Sequence, residues 1–535
     1  MQLLISLEFG SIWYAILFKD KGIVSRKLAA LLFSSTNSQE QQSEAPNNIH
    51  AQHIGLAMTL KSLACTISAV LLAGCGSTVA TQTYNADLII TNGQVLTINS
   101  EMDVIEDGVV VVKNDQIIAV GNEDLITQYR AEKVIDAQDG IVMPGMVNAH
   151  NHLPMIAFRG LGEEGISNRL FAYFFPLEAE KLSRELIYNA TKLGSIELAQ
   201  SGVTTYADMY YHMDEMAKAT KEVGLRAVLG ETVIKFPVVD AKEPYGGIDY
   251  AKGFIEQYQN DELITPAYAP HAVYTVSKDK LQEINKLSAQ YDVPVLIHVA
   301  EFPNEEKRIK DETKATSPVE YMDEIGVLDE RVVIAHGIHL SENDQKLLKQ
   351  ADAGISYNPM ANAKGATGIA PAWDMYRADM RVGLGTDGPM SSNQVDIMRT
   401  LSYAANMQRL KHSDRTIMIP EQVIEMATLG GAKALHMEDQ IGSLEVGKKA
   451  DIVIVETQSA NMMPSYDPYA TLVYQANPSN IDTTIVNGQI VMENRVMQTV
   501  QLDEIRQSVD EFEADITEFA KELSKKAIKS KSLMD

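Results

Sequence analysis

Cysteine is nearly absent from this chain. Among 535 residues only Cys65 and Cys75 carry a thiol, and none follows Cys75. That excludes thiolate metal ligands and a disulfide framework from everything downstream. Cationic charge is also short: 46 lysines and arginines stand against 72 aspartates and glutamates, for a formal charge of −26. So acidic a surface repels phosphate backbones, and no nucleic-acid partner is expected. The apolar run after Met58 is too short to span a bilayer comfortably. What remains, 45% hydrophobic and 22% charged residues, is a globular composition at a length that suits two folded units.

From Met58 the chain reads MTLKSLACTISAVLLAGCGS: a Met and a Lys, a short apolar run, then small residues before a cysteine. Leu-Ala-Gly-Cys resembles the bacterial lipobox. Residues 58–75 are therefore expected to be a lipoprotein signal peptide, with Cys75 lipidated as the first mature residue. This gives a lipid-anchored, membrane-associated address in the bacterial cell envelope. The expected place is the periplasmic face of the outer membrane, because Gly76 is not an aspartate. Residues 1–57 combine IWYAILF with the polar stretch SSTNSQEQQSEAPNN. They read as disordered, or as lying ahead of a true start at Met58.

From Ala86, ADLIITNGQVLTI and GVVVVKNDQIIAVG carry hairpin grammar, and it returns in GSLEVGKKADIVIVE and TTIVNGQIVMEN. The two β-rich ends predict one small β-sandwich domain built from 86–140 and 436–500. A charged helix over 501–535 follows. Between them, 141–435 alternates apolar strands with amphipathic helices. Eight strands are expected: Ile141–Ala149, Val203–Ala207, Arg226–Gly230, Ile264–Ala269, Pro294–Val299, Val332–Ala335, Gly354–Tyr357 and Arg381–Gly385. The fold class is α/β, a (β/α)8 TIM-type barrel, and such barrels place their sites at the C-terminal strand ends.

Histidines gather at those ends. NAHNH closes the first strand with His150 and His152, APHAVY follows the fourth with His271, and IHVAE ends the fifth with His298 and Glu301. AHGIHL ends the sixth with His336 and His339, and GTDG follows the eighth with Asp387. Residues i and i+2 on a strand share a face, so His150 and His152 aim together into the barrel mouth. With His298 and Asp387 they make a donor set for one divalent metal, Zn²⁺ first, with Fe²⁺ or Mn²⁺ suited to the same donors. A metal there lowers the pKa of a bound water, which becomes the nucleophile. Other groups have plainer readings. His339 caps a helix or faces solvent, and Arg159 is a structural ion-pair partner. His212 could lie near the pocket. His50, His53, His412 and His436 have no motif around them.

The set PGMVNAHNH, IHVAE, AHGIHL and GLGTDG, with HLPMIAFRG, GVTTYADMY, NPMANAKGATGIAP and GSLEVGKKADIVIVE, resembles the amidohydrolase superfamily. Within it, the chain is similar to the heterocycle deaminases and chlorohydrolases, a branch that includes methylthioadenosine/S-adenosylhomocysteine deaminases. The likeness runs from about Ala86 to the last strands. It implies His150, His152, His298 and Asp387 as metal ligands and His336 as the group that orients the hydrolytic water. It implies Glu301 as the donor of a proton to a ring nitrogen, and Asp387 as the carrier of the water's proton to the leaving amine. His271 and Glu301 would face the substrate. APHAVY ends without the lysine that bridges two metals in binuclear relatives, so one metal is expected. The branch carries a tryptophan after the first motif, where this chain has Phe171, Tyr173, Phe174 and Phe175. It also carries arginines after the third strand, where VLGETVIKFP places Glu231.

The function this implies is hydrolytic deamination of a purine-, pterin- or triazine-like small molecule. A chlorohydrolase or cyclic amidohydrolase would use the same site, and a non-catalytic solute-binding lipoprotein is the third reading. A homo-oligomer is compatible with all three.

Overall fold

The structure is a computed structural model. It describes residues 4–9, 12–17 and 83–531, apart from 167 and 310–312. Near the N-terminus β1 (Leu4–Phe9) and β2 (Ile12–Leu17) pair antiparallel, within the stretch to which the sequence assigned no fold. The expected signal peptide, 58–75, lies outside the described residues.

The body begins with β3 (Tyr84–Leu96), β4 (Val104–Lys113), β5 (Gln116–Gly121) and β6 (Tyr129–Pro144). After β6 come the barrel strands β7 (Met146–Asn151), β8 (Val203–Tyr210), β9 (Arg226–Val233) and β10 (Ile264–Pro270). They continue with β11 (Val295–Val299), β12 (Val332–His336), β13 (Gly354–Tyr357) and β14 (Arg381–Leu384). These eight are parallel neighbours in chain order. The ring is drawn together at the top, where the amides of Thr386 and Asp387, just past β14, donate to the His150 carbonyl of β7 at 3.2 and 3.0 Å. Every residue of β8 and β9 is buried, as parallel strands covered on both faces must be. Val147, Ala207, Met209, Val228, Ala267, Ala269, Leu296 and Val333 of the barrel strands share one apolar cluster with Ala432, Leu435, Met437 and Ile441, which follow β14 in the chain.

The other sheet is assembled from both ends of the body, as expected. Its eight strands run in the order β18-β17-β16-β15-β6-β3-β4-β5, with β15 (Ile452–Val455), β16 (Ile481–Val486), β17 (Gln489–Glu493) and β18 (Val496–Met497) contributed late. The line between the two sheets differs from the sequence reading. Ile141–Ala149 reads as one apolar strand, yet residues to Pro144 pair with β15 and residues from Met146 pair with β8. Gly145 makes the crossing: a Cβ there would sit 2.1 Å from the Thr204 hydroxyl, so no larger residue fits.

One buried ion pair ties the sheets. Arg226 of β9 donates through Nε and Nη2 to the two carboxylate oxygens of Asp451, each at 3.1 Å, and both residues are nearly inaccessible. Such a pair adds little over apolar packing, but removing one partner strands a buried charge. Asp451→Asn is therefore expected to lower the unfolding free energy by about 3 to 5 kcal/mol in denaturant titrations.

Past β14, Asp396 caps the helix Ile397–His412 by accepting from the Arg399 amide at 3.0 Å. Burial pushes its carboxyl up to about 6. The folded state then holds the proton more tightly than the unfolded state. Its stabilising contribution is complete below the ordinary carboxylate range and lost as pH rises through about 6. Asp396→Asn, which can still cap, is expected to flatten that loss in stability measured across about pH 4 to 7.

Candidate active site

Four strand ends supply the centre. His150 lies on β7 and His152 one residue past it; His298 is on β11, His336 ends β12, and Asp387 follows β14. The rings of His150 and His152 are 4.8 Å apart edge to face, so the shared orientation expected from the i, i+2 spacing holds. His336 and Asp387 both have left-handed backbones, φ +74° and +60°, which β-strand continuation would not produce. Strained non-glycine residues of this kind persist where surrounding structure fixes them, and they cluster at working sites.

The tautomers can be read from the partners. His152 Nδ1–H donates to the Met209 carbonyl at 2.6 Å, and His298 Nδ1–H donates to the His271 carbonyl at 2.7 Å. A carbonyl only accepts, so each ring keeps its proton on Nδ1 and turns the Nε2 lone pair inward. Those two Nε2 atoms face each other at 3.2 Å. Burial, aided by the neighbouring imidazoles, holds His150 and His298 well below the usual histidine range, and burial outweighs Asp387 to lower His152. Neutral rings so arranged repel unless a cation lies among them. His150 Nε2 is buried with no hydrogen-bond partner, and Asp387 Oδ1 stands 3.8 Å from it and 3.5 Å from His152 Nε2. The donor set therefore fits a divalent transition metal.

Around this centre lie the groups that can move protons. His336 Nδ1 is held by the Asn362 carbonyl oxygen at 3.1 Å, leaving Nε2 4.0 Å from a Glu301 carboxylate oxygen. Burial presses His336 down, but Glu301 and Asp387 outweigh it and raise its affinity for a proton. Burial lifts the Glu301 carboxyl to about 7, with Asp387 adding to the rise and His336 opposing it. The loop that carries Glu301 is pinned by Glu305, whose carboxylate accepts from the amides of Ala300, Glu301 and Phe302 at 2.8–3.0 Å.

The centre opens into a cavity of about 840 Å³. His271, expected to face the substrate, lines it. Burial and then His152 depress His271 to about 3, and its ring packs on Phe175 at 5.7 Å. Phe171, Phe174 and Phe175 line the wall, while Tyr173 turns away into the core and bonds the Ala520 carbonyl. His339 is exposed, and Arg159 pairs with Glu197 at 2.8 Å, both as expected. His212 does not line the cavity. It heads the helix Met213–Val223, and its amide donates to Asp240 at 2.7 Å. Glu231 is fully buried and accepts from the Met213 amide.

Glu178 was not anticipated from the sequence. It lines the cavity, accepts from the Tyr210 hydroxyl at 2.6 Å, and is raised by burial to about 7. Its signal was an acid in the middle of FFPLEAEK, where an apolar helix face would otherwise continue.

The comparisons agree with this architecture. The model of the amidohydrolase family matches residues 141–491. A 5-methylthioadenosine/S-adenosylhomocysteine deaminase of Syntrophus aciditrophicus is 35% identical over 440 residues, covering 82% of this chain and 99% of the relative. A 5'-deoxyadenosine deaminase of Methanobrevibacter smithii is 39% identical over 402 residues, covering 74% of this chain and 91% of the relative. The crystal structure of an adenosine deaminase from Xanthomonas campestris, described with bound zinc, superposes with a TM-score of 0.79 at 29% identity. That match covers 81% of this chain and 99% of the other.

These relatives correct one expectation. They are described as deaminases of adenosine-type compounds. The lipid-anchored envelope address is therefore withdrawn, and Cys75 itself lies outside the described residues. With the family model matching most of its length and relatives above 30% identity matched nearly end to end, the chain belongs to the amidohydrolase family.

Proposed function

We propose that this enzyme is a metal-dependent hydrolytic deaminase of an amino-substituted nitrogen heterocycle, with adenine nucleosides the first substrates to test. The observation that carries the reading is the pair of inward imidazole lone pairs at 3.2 Å beside a protonatable Glu301. Relatives described as acting on adenosine-type nucleosides support the substrate class.

In this reading His150, His152, His298 and Asp387 hold one divalent ion, zinc by analogy with the Xanthomonas campestris enzyme. When bound, that ion supplies Lewis-acid activation of water near neutral pH. The residues do the rest. His336, its Nδ1 occupied by Asn362, turns Nε2 toward the position of the attacking water and orients it. Glu301 carries a proton into the neutral range and gives it to the ring nitrogen beside the carbon under attack, so that nitrogen can accept electron density. Asp387 takes the water's proton and returns it to the departing amine. His271, kept neutral, and the phenylalanine wall enclose the flat heterocycle.

The test is ammonia release by zinc-loaded protein across adenine nucleosides, pterins and aminotriazines, with chloride release from chlorotriazines run alongside. Ammonia from at least one class is expected. Chloride alone would move the chain to the halide-releasing reaction, and neither product from any of them would sink the proposal.

A further inference from the structure

His152 sits where β7 gives way to a turn. The ladder with β8 slips just before it: from Asn148 to Asn151 the chain advances three residues, while its partner advances two, from Tyr206 to Asp208. A bulge of this kind bends a strand and re-aims its side chains, and bulges recur beside active sites. Past His152 the chain enters the short 3-10 helix Leu153–Phe158, with Pro154 in its first turn and no capping bond from the His152 side chain. The first amides of a helix have no partner within it, so the Leu153 N–H must find one elsewhere.

It finds one on the neighbouring strand. Asp208 Oδ2 accepts from the Leu153 amide at 2.6 Å. The next residue of β8, Met209, accepts the His152 Nδ1–H on its carbonyl at 2.6 Å. Two successive residues of β8 therefore hold the backbone just after His152 and the His152 ring itself. The His152 amide is taken by Asn151 Oδ1 at 2.8 Å. Asp208 is fully buried, and its Oδ1 has no hydrogen-bond partner among the described residues. Burying an unmatched carboxylate oxygen destabilises a fold, and a neutral acceptor could satisfy the amide without that penalty. Fold stability does not account for the carboxylate, whereas a fixed His152 does.

We propose that Asp208 is a positioning residue for the metal centre: by anchoring the Leu153 amide it fixes where His152 presents Nε2. Asp208 does not line the cavity and is absent from the donor clusters, so it acts only through His152. This rests on the metal assignment of the proposed function and is independent of the substrate. Zinc dissociation constants of the metal-stripped full chain, measured by competition with a chromophoric chelator, test it without turnover. Asp208→Ala removes the acceptor and is expected to weaken zinc binding about ten- to a hundredfold, the usual worth of a group that orients a metal-binding histidine. Asp208→Asn keeps an acceptor oxygen for Leu153 and should recover most of that loss. Should the alanine variant not accumulate as folded protein, Asp208→Val, a better strand former, repeats the measurement.

Two further readouts separate positioning from a general loosening of the barrel. Cobalt-substituted protein should show altered visible absorption bands in Asp208→Ala and near-native bands in Asp208→Asn. Asp451→Asn, which breaks the buried pair at the first residue of β9, should keep the wild-type zinc constant and cobalt spectrum. Zinc binding that is the same in wild type and Asp208→Ala overturns the assignment. So does an asparagine variant as weak as the alanine one, or an equal weakening in Asp451→Asn. A wild type that binds no zinc would overturn the metal reading, and this assignment with it.

Discussion

His298→Ala is expected to lose its metal and its activity together. Zinc measured by atomic emission should fall from about one equivalent to background, and ammonia release should fall to the detection limit. The imidazole is one of two rings whose Nδ1–H is spent on a carbonyl, so its Nε2 has no other use. Alanine removes a donor from a set that has no thiolate to replace it, because no cysteine follows Cys75. Folding should survive, since deleting the ring removes part of a crowd of neutral donors that repel one another. A parallel His339→Ala variant, on an exposed ring past the same barrel mouth, is expected to keep both metal and activity. If the His298 variant retains a full equivalent of zinc, the ligand set is wrong.

Glu301→Gln separates holding the ion from moving the proton. The amide fills the same volume and cannot donate an acidic proton to a ring nitrogen. An expected drop in kcat of about a thousandfold follows from the usual worth of a positioned general acid. Metal content should be unchanged, because Glu301 is not in the donor clusters formed by His150, His152, His298, His336 and Asp387. KM should move little by comparison. A variant with near-normal kcat would remove Glu301 from the chemistry. A variant that loses zinc would make it a ligand instead.

The centre was legible in the sequence because its donors end β-branched runs. IHVAE, AHGIHL and GTDG each state a strand, an end and a side chain in a few residues, and the barrel topology then brings them together. What the motifs could not state were the partners that fix those donors. His152 is held by the Met209 carbonyl from β8 and His336 by Asn362 from beyond β13, backbone and amide groups with no motif of their own. His271 shows the same limit: the sequence offered it as a substrate-facing ring, and its carbonyl also fixes the tautomer of His298.

The fold shows where pattern reading fails. Ile141–Ala149 is apolar throughout, and burial alone is blind to which sheet a strand belongs to. Only the Pro144-Gly145 step marks the change, through a missing amide hydrogen and a missing Cβ. The address went wrong for another reason. A short N-terminal run was read for its local chemistry, whereas the body of the chain is what its relatives share.

The pairing of β6 with β15 has a consequence in time. Ile141 lies beside Val455, about 300 residues later in the chain. At the usual pace of synthesis, roughly 5 to 20 residues per second, β6 leaves the ribosome some tens of seconds before its partner exists. The strand that leads directly into His150 therefore waits with an unpaired edge through most of translation. Low temperature or slow codons between β6 and β15 should raise the aggregated fraction, and emergence of β15 should be the event that covers the open edge of β6.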